Sequence, residues 1–415
     1  MGVFYLVSGG GYMEISSERE KELDTYISNH TDAEVGEWPL EISGDVQRRP
    51  FHKFPISLLR FNVNNGRLAM EVSEWESSHE RKLDANDPED GRIIRDLLLS
   101  LDESDTNLLK EDLRQKKQIE PGVITNDGYV INGNRRMAIL LLLHEQEPTG
   151  KWEYLDAIRL PKSVGEKDLW KIEAGLQLSK DKISEYHPVN ELLKIKQGRD
   201  RGLEPKEIAA AMYGRTVDEV EQALERLQLI DSFLEFFNPK KPQNYGLIKQ
   251  FGLHEHFIDI QKTIMAPAQR QGLPKKEIYK RLIGAFALLR AGILVQSIQK
   301  KKRGVTHWDV RDLGKIYSDG DAQDEYIKNL ENSIKDPKQI ASIKPEVILE
   351  GFKSAKEVLT NKEDRDKPVT LIERAVKALK SIDQSNPHIK DSHAVETFEK
   401  LKKVVNELER TIKSS

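Results

Sequence analysis

The chain has 415 residues, 38% hydrophobic and 32% charged, which is room for two or three domains with ordinary cores and highly charged surfaces. Its 65 basic and 69 acidic residues give a formal net charge of −4, which excludes a globally basic nucleic-acid footprint and leaves such contacts to local patches. No cysteine is present, so disulfides, thiolate metal sites and thiol catalysis are excluded and a cytoplasmic setting is expected; no apolar run reaches the about 18 residues of a membrane span, so no membrane role is expected.

Met1 to Gly11 lack the basic n-region of a secretory signal. Ser8-Gly9-Gly10-Gly11 is glycine-rich, but no Gly-Lys-Ser/Thr follows, so it is a loop and not a Walker motif. Glu18 to Ile27 reads as a short helix, and Trp38-Pro39 and Pro50 as an extended lead, so that residues 1–50 form an N-terminal extension. The segment from Phe54 to Arg67 is rich in asparagine: Asn62, Asn64 and Asn65 precede Gly66-Arg67. Two helical segments follow, Ile93 to Leu101 and Thr106 to Lys116, and then Gln118 to Ile124 leads into a strand.

The most informative stretch is Asp127-Gly128-Tyr129-Val130-Ile131-Asn132-Gly133-Asn134-Arg135-Arg136. A short apolar strand runs into a turn, and Arg135 and Arg136 open the apolar helix Met137 to His144. Gly133 can take the positive φ that the turn needs. Amides at a helix start have no intrahelical partner and can donate to an anion. Arginine adds a planar fork that matches phosphate oxygens. This is the pattern of a phosphate-binding corner. Leu155 to Pro161 reads as a further strand, and Glu173-Ala174-Gly175-Leu176-Gln177-Leu178 ends a helix.

Glu204 to Gly214 reads as a helix with Pro205 in its first turn, and Thr216 caps a second helix from Val217 to Leu229. Val217, Val220, Leu224 and Leu227 give that helix one apolar stripe. The shape is helix-turn-helix. In DNA-reading versions the start of the second helix faces base edges. Here it carries Asp218, Glu219, Glu221 and Glu225, which Arg215, Gln222 and Arg226 offset only in part, so packing inside the protein or against a partner protein is the competing expectation. Lys240-Lys241 sits between prolines in a loop, and Lys300-Lys301-Lys302-Arg303 is the densest basic patch, suited to a helix end or to a phosphate backbone.

Beyond residue 235 the sequence is helical. Lys275 to Gln299 is a buried helix or helix pair with a break expected near Gly292, and Thr306 caps a helix that begins His307-Trp308-Asp309. His307, Asp309 and Arg311 lack a nearby ligand partner, so no acid–base or metal role is assigned to them. Residues 321–360 are charged helices punctuated by Pro337 and Pro345. Val369 to Ile382 and the stripe Val395, Phe398, Leu401, Val405, Leu408, Ile412 form a C-terminal helical hairpin with a coiled-coil-like seam, able to pack on the domain or to pair with a second copy as a homodimer.

The order of these segments resembles the ParB/sulfiredoxin superfamily over roughly residues 50–235. Asn62 to Arg67 is similar to the family's first box, Gly133-Asn134-Arg135-Arg136 to its Gly-Glu-Arg-Arg corner, and Ala174 to Leu178 to its third box, with a helix-turn-helix after it. Asn134 stands where the family has glutamate, or the reactive cysteine of sulfiredoxin, and Ala174 and Gly175 replace residues that serve magnesium and hydrolysis. The resemblance implies an α+β ParB/sulfiredoxin-like domain at 51–180, a helix-turn-helix-like region at 181–235, a helical domain at 236–360 and the hairpin at 361–415. It also implies a nucleoside triphosphate, CTP or ATP, with Mg²⁺. Gly133, Asn134, Arg135, Arg136, Asn62, Asn65, Arg67 and Gln177 would hold the nucleotide, and Glu173 would stand in as metal ligand. Glu173 and Asp127 are the catalytic candidates, with Glu120 and His144 as further bases, while Arg215, Arg226, Lys300, Lys301, Lys302 and Arg303 would meet DNA. The implied role is an NTP-dependent, DNA-associated switch in a mobile-element, phage-defence or DNA-processing system. An NTP hydrolase, nuclease or small-molecule kinase on the same fold, and a nucleotide-independent scaffold, are the alternatives.

Overall fold

A computed structural model describes residues 16–178, 187–240, 243–298, 304–328, 330, 343–363, 368–383 and 385–413. The basic run 300–303 and the glycine-rich segment 8–11 lie outside the described residues. The fold is α+β: a six-stranded mixed sheet and its helices come first, and the rest is helical.

The chain opens with helix α1 (Ser17–Asn29), capped by the Ser16 side chain. Strands β1 (Glu34–Ile42) and β2 (Asp45–Pro55) then form an antiparallel hairpin. This corrects the reading of these residues as an extended lead. The signal was the two-residue link Ser43-Gly44, both at positive φ (54° and 90°), the backbone that a tight hairpin turn requires. β3 (Arg60–Phe61) leads to α2 (Ala69–His79), α3 (Pro88–Ser100) and α4 (Glu103–Lys116). Then come β4 (Gly122–Ile124), β5 (Tyr129–Asn132), α5 (Asn134–Gln146), β6 (Tyr154–Arg159) and α6 (Glu166–Gln177).

The sheet order is β1-β2-β6-β4-β5-β3. β6 is parallel to β4 and β5 is parallel to β3, while the other neighbours are antiparallel. Alternation along the strands feeds two cores. Phe54, Ile124, Val130, Leu155 and Ala157 pack with Ile94, Leu98, Met137 and Leu140 on one face. Val123, Ile131 and Ile158 pack with Leu40, Ile42 and Ile172 on the other. The outer strand β1 carries Pro39, a register irregularity between Glu34 and Gly36, and exposed carboxylates at Glu37 and Glu41.

The helical part begins with α7 (Pro188–Asp200), α8 (Pro205–Ala211) and α9 (Val217–Phe237). Short helices α10 (Gly246–Gln250) and α11 (His254–Asp259) follow, then a π-helical turn at Ile260–Met265 and α12 (Ala266–Arg270). α13 (Lys275–Ile298), α14 (His307–Ile316) and α15 (Gly320–Lys328) complete its core with a helix at Pro345–Glu363. Phe233 of α9 meets Phe257 and Phe286 edge-on, at 5.5 and 5.6 Å between ring centroids.

α13 runs unbroken through Gly292, against the expected break. Gly292 is there for close approach. A Cβ at this position would lie 2.7 Å from Val305 Cγ2 and 2.8 Å from the Val305 backbone nitrogen. α13 is long and apolar enough to cross a membrane by length and composition alone, and most of it is buried in this core. The last two helices, Pro368–Lys380 and Ser392–Lys413, have no buried residue, and Val369, Ile372, Val376, Val395, Phe398, Val405, Leu408 and Ile412 are exposed along them.

Candidate functional site: a cleft at the start of α5

Gly133 takes φ 105° and ψ 12° at the N-cap of α5, so the strand β5 turns directly into the helix. A left-handed backbone here would strain any residue with a Cβ. The first turn of α5 therefore opens onto a cleft of about 700 Å³. Asn65, Arg67, Gly133, Asn134, Arg135, Arg136 and Gln177 all line it. These residues come from the three boxes read in the sequence, which span residues 65–177 and converge on one cleft. Four basic side chains line the cleft, Arg67, Lys117, Arg135 and Arg136, together with Asp105, Asp112 and Glu120. Leu108 and Ile119 are exposed apolar side chains on its walls.

Arg135 Nη2 donates to the Thr106 hydroxyl at 3.3 Å. Arg136 Nη1 donates to the Glu120 carbonyl. Burial pulls the Arg136 guanidinium below its ordinary value, against the opposing charges of Glu120 and Asp156. The Arg136 group stays cationic at neutral pH, because arginine starts so high.

Asn134 has a second task. Its Oδ1 accepts the Asn62 N–H at 3.0 Å and its Nδ2 donates to the Val130 carbonyl at 2.7 Å. The side chain thus joins the asparagine-rich loop to β5, and its backbone amide remains at the helix start. Asn62 is buried behind the cleft: its Oδ1 accepts the Asn64 N–H at 3.0 Å, and its Nδ2 is buried with no partner among the described residues. Asn65 Oδ1 accepts the Arg67 N–H at 3.0 Å and caps the short turn Gly66–Leu68.

Glu173 does not line the cleft. It is buried beneath the loop, where Oε1 accepts the Gly66 N–H at 3.1 Å and Gln177 Nε2 at 3.2 Å, and Oε2 pairs with Lys194 Nζ at 2.7 Å. Burial pulls the Lys194 ammonium down to about 8, with Glu173 working in the opposite direction. α7 grips the same loop twice more: Asn190 Nδ2 donates to the Arg67 carbonyl at 2.9 Å, and Gln197 Nε2 donates to the Asn64 carbonyl at 3.0 Å. The sequence reading missed Lys194, Asn190 and Gln197, since their partners lie more than 100 residues away, or on another helix.

Asp127 lies on a second groove, of about 850 Å³. It accepts from Ser16 N and Arg19 Nη2, both at 3.0 Å, and from the Thr125 hydroxyl at 2.6 Å. Its role here is to anchor α1 and the turn. His144 lies at the far end of α5, 3.8 Å from Glu153. Among the described residues no group of three or more His, Cys, Asp or Glu side chains is placed to hold a metal ion.

Two of the residues read as nucleic-acid contacts, Arg215 and Arg226, pair within the protein. Arg215 Nη2 pairs with Glu191 at 2.6 Å, and Arg226 Nε donates to Gln261 Oε1 at 3.3 Å. Burial pushes the Glu191 carboxyl up, with Arg215 opposing, and pulls Arg226 down. α9 buries Val220, Ala223, Leu227, Ile230 and Phe233 in the helical core. Lys300, Lys301, Lys302 and Arg303 lie outside the described residues. His307 and Arg311 do have a long-range partner, Asp259, at 3.0 and 2.8 Å. Thr306 and Asp309 form the expected cap of α14.

No protein-family model, curated protein or solved structure matches this chain.

Proposed function

We propose that the cleft at the start of α5 binds the phosphate chain of a nucleoside triphosphate, and that the protein is a ParB-like, nucleotide-dependent switch. The observation that carries this reading is the convergence of Arg67, Arg135, Arg136 and the open first turn of α5 on one cleft. Helix-start amides, a helix dipole and guanidinium forks are each suited to phosphate, and together they define the ligand class. A volume of about 700 Å³ accommodates a nucleotide. Leu108 and Ile119 offer apolar surface to a base. Mg²⁺ would arrive on the phosphate oxygens, with Asp105 as a wall carboxylate beside it; Asp112 on the same cleft is paired with Lys116 at 2.6 Å.

Binding is favoured over turnover. Glu173 is committed to Lys194 and the Gly66 amide, and Asp127 faces another groove. The signal would pass through the loop 62–68, which the cleft and α7 share. DNA or a partner protein would be the receiver, in the mobile-element, defence or DNA-processing setting that the resemblance implies. Contact with DNA would need residues other than Arg215 and Arg226.

The test is thermal unfolding with CTP, ATP or GTP and Mg²⁺, for the wild type and for Arg135→Ala with Arg136→Ala. Ligand at about 100 times Kd adds about 2.7 kcal/mol to the folded state. A nucleotide-dependent shift in the wild type that the double variant loses is expected. An unshifted wild type at millimolar nucleotide would sink the proposal.

A further inference from the structure

One wall of the cleft is the link between α4 and β4, and it holds an unusual residue. Lys117 has φ 62° and ψ −156°. Two other non-glycine residues among those described have positive φ, Ser43 and Glu80. Ser43 sits in the β1–β2 turn, and Glu80 (φ 54°, ψ 29°) is an ordinary left-handed helix cap. Lys117 lies outside that region, in backbone space that is essentially reserved for glycine.

Such strain persists only where the surroundings over-determine it. They do so here. The Lys117 N–H donates to the Leu113 carbonyl at 3.1 Å. Gln118 is fastened to β6 at both ends of its amide: Nε2 donates to the Tyr154 carbonyl at 3.0 Å and Oε1 accepts the Asp156 N–H at 3.1 Å. The Glu120 carbonyl is held by Arg136, and Pro121 fixes the next φ. Glycine would satisfy every one of these contacts without strain. What only lysine adds is an ammonium. It is exposed in the cleft that Arg67, Arg135 and Arg136 also line, and it has no hydrogen-bond or ion-pair partner among the described residues.

We propose that Lys117 is a phosphate-binding residue, whose ammonium closes on the phosphate chain of the triphosphate from the link between α4 and β4. This rests on the nucleotide reading of the cleft. It gives Arg136 two roles, since the same guanidinium that lines the corner latches the loop that carries Lys117.

The experiment compares wild type, Lys117→Gly, Lys117→Ala, Lys117→Arg and the Arg135→Ala, Arg136→Ala double variant. Unfolding temperature without ligand is measured first, then the affinity for ATP, CTP and inorganic tripolyphosphate by titration calorimetry. Lys117→Gly is expected to melt a few degrees higher, because the strain is gone, yet to bind all three ligands on the order of 10-fold more weakly. Lys117→Ala should bind equally weakly without the gain in stability, and Lys117→Arg should recover most of the affinity. Wild-type affinity in Lys117→Gly, with binding lost in the arginine double variant, would overturn the role of Lys117 and leave the nucleotide site standing. A loss confined to ATP and CTP, with tripolyphosphate unaffected, would overturn the phosphate assignment. Absence of binding by the wild type would remove the premise and the proposal together.

Discussion

Two pairs of arginines accompany helices in this chain and end in different surroundings. Arg135 and Arg136 open α5, and both line the cleft. Arg215 precedes α9 and Arg226 lies within it, and both reach into helix packing, towards Glu191 and Gln261. Neither of the second pair lines the cleft. The difference lies in what the helix start faces. The first turn of α5 leaves the sheet at a left-handed glycine and meets open volume. The start of α9 is closed by a capping box between Thr216 and Glu219 and flanked by α7 and α8. A basic residue at a helix start is accessible to a ligand only where the fold leaves space before it.

The largest expected effect tests the link between the two regions. Glu173 and Lys194 join α6 beneath the cleft to α7 beside the helix-turn-helix pair. Lys194→Ala would leave the Glu173 carboxylate buried without its cation, and should lower unfolding stability by about 3–5 kcal/mol. If denaturant unfolding shows a change under 1 kcal/mol, the pair does not connect the regions.

Next is the contrast itself. Arg215→Ala uncouples Glu191 and should cost about 1–3 kcal/mol of stability, while the nucleotide-induced thermal shift stays at its wild-type size. Should that variant lose the shift as Arg135→Ala with Arg136→Ala does, the two pairs belong to one site and the comparison fails. Gly133→Ala sharpens it from the other side. Its Cβ would meet only ordinary contact, Gly122 Cα at 3.5 Å, so the backbone alone carries the penalty, about 1–2 kcal/mol. The nucleotide shift should shrink with it.

The last effect is in pH. Burial holds the Lys194 ammonium at about 8 in the folded protein, below the unfolded value near 10.5. A lysine with a depressed folded pKa keeps its full penalty below about 8, where both states are protonated. Between about 8 and 10.5 the unfolded chain binds more protons, so this group's contribution to stability rises with pH. Wild type should therefore gain on a Glu173→Gln, Lys194→Met double variant as pH climbs from 8 to 10. A flat or falling difference would show that Lys194 does not titrate in that range.

What was legible in the sequence was local. Gly133 before Arg135-Arg136 marks a turn into a helix from composition alone, and the apolar spacing of α9 and the cap at Thr216 read directly as secondary structure. The convergence of Asn65, Arg67 and Gln177 on the corner came from the order of the boxes. The Ser43-Gly44 hairpin link is legible in the sequence, whereas Trp38-Pro39 and Pro50 read only as an extended lead. Other features left no local trace. Nothing near Glu173 points to Lys194, a buried partner on the next helix. Lys117 carries none of the residue types that announce positive φ. Gly292 looked like a helix breaker, and only the approach of Val305 reveals what it does. Asp259 supplies the partner that His307 and Arg311 lacked, from 48 and 52 residues away.

The outer strand of the sheet has a consequence for how copies of this protein meet one another in concentrated solution. An open strand edge is a template on which another chain can polymerise. β1 breaks that template three ways, with a proline that offers no donor, an irregular register at Glu34 and Gly36, and carboxylates at Glu37 and Glu41 that would repel a second copy laid alongside. At the opposite edge β3 is two residues long, too short to seed a ladder. Removing Pro39 and the neighbouring charges would leave the cleft chemistry untouched and open a route to fibrous aggregates.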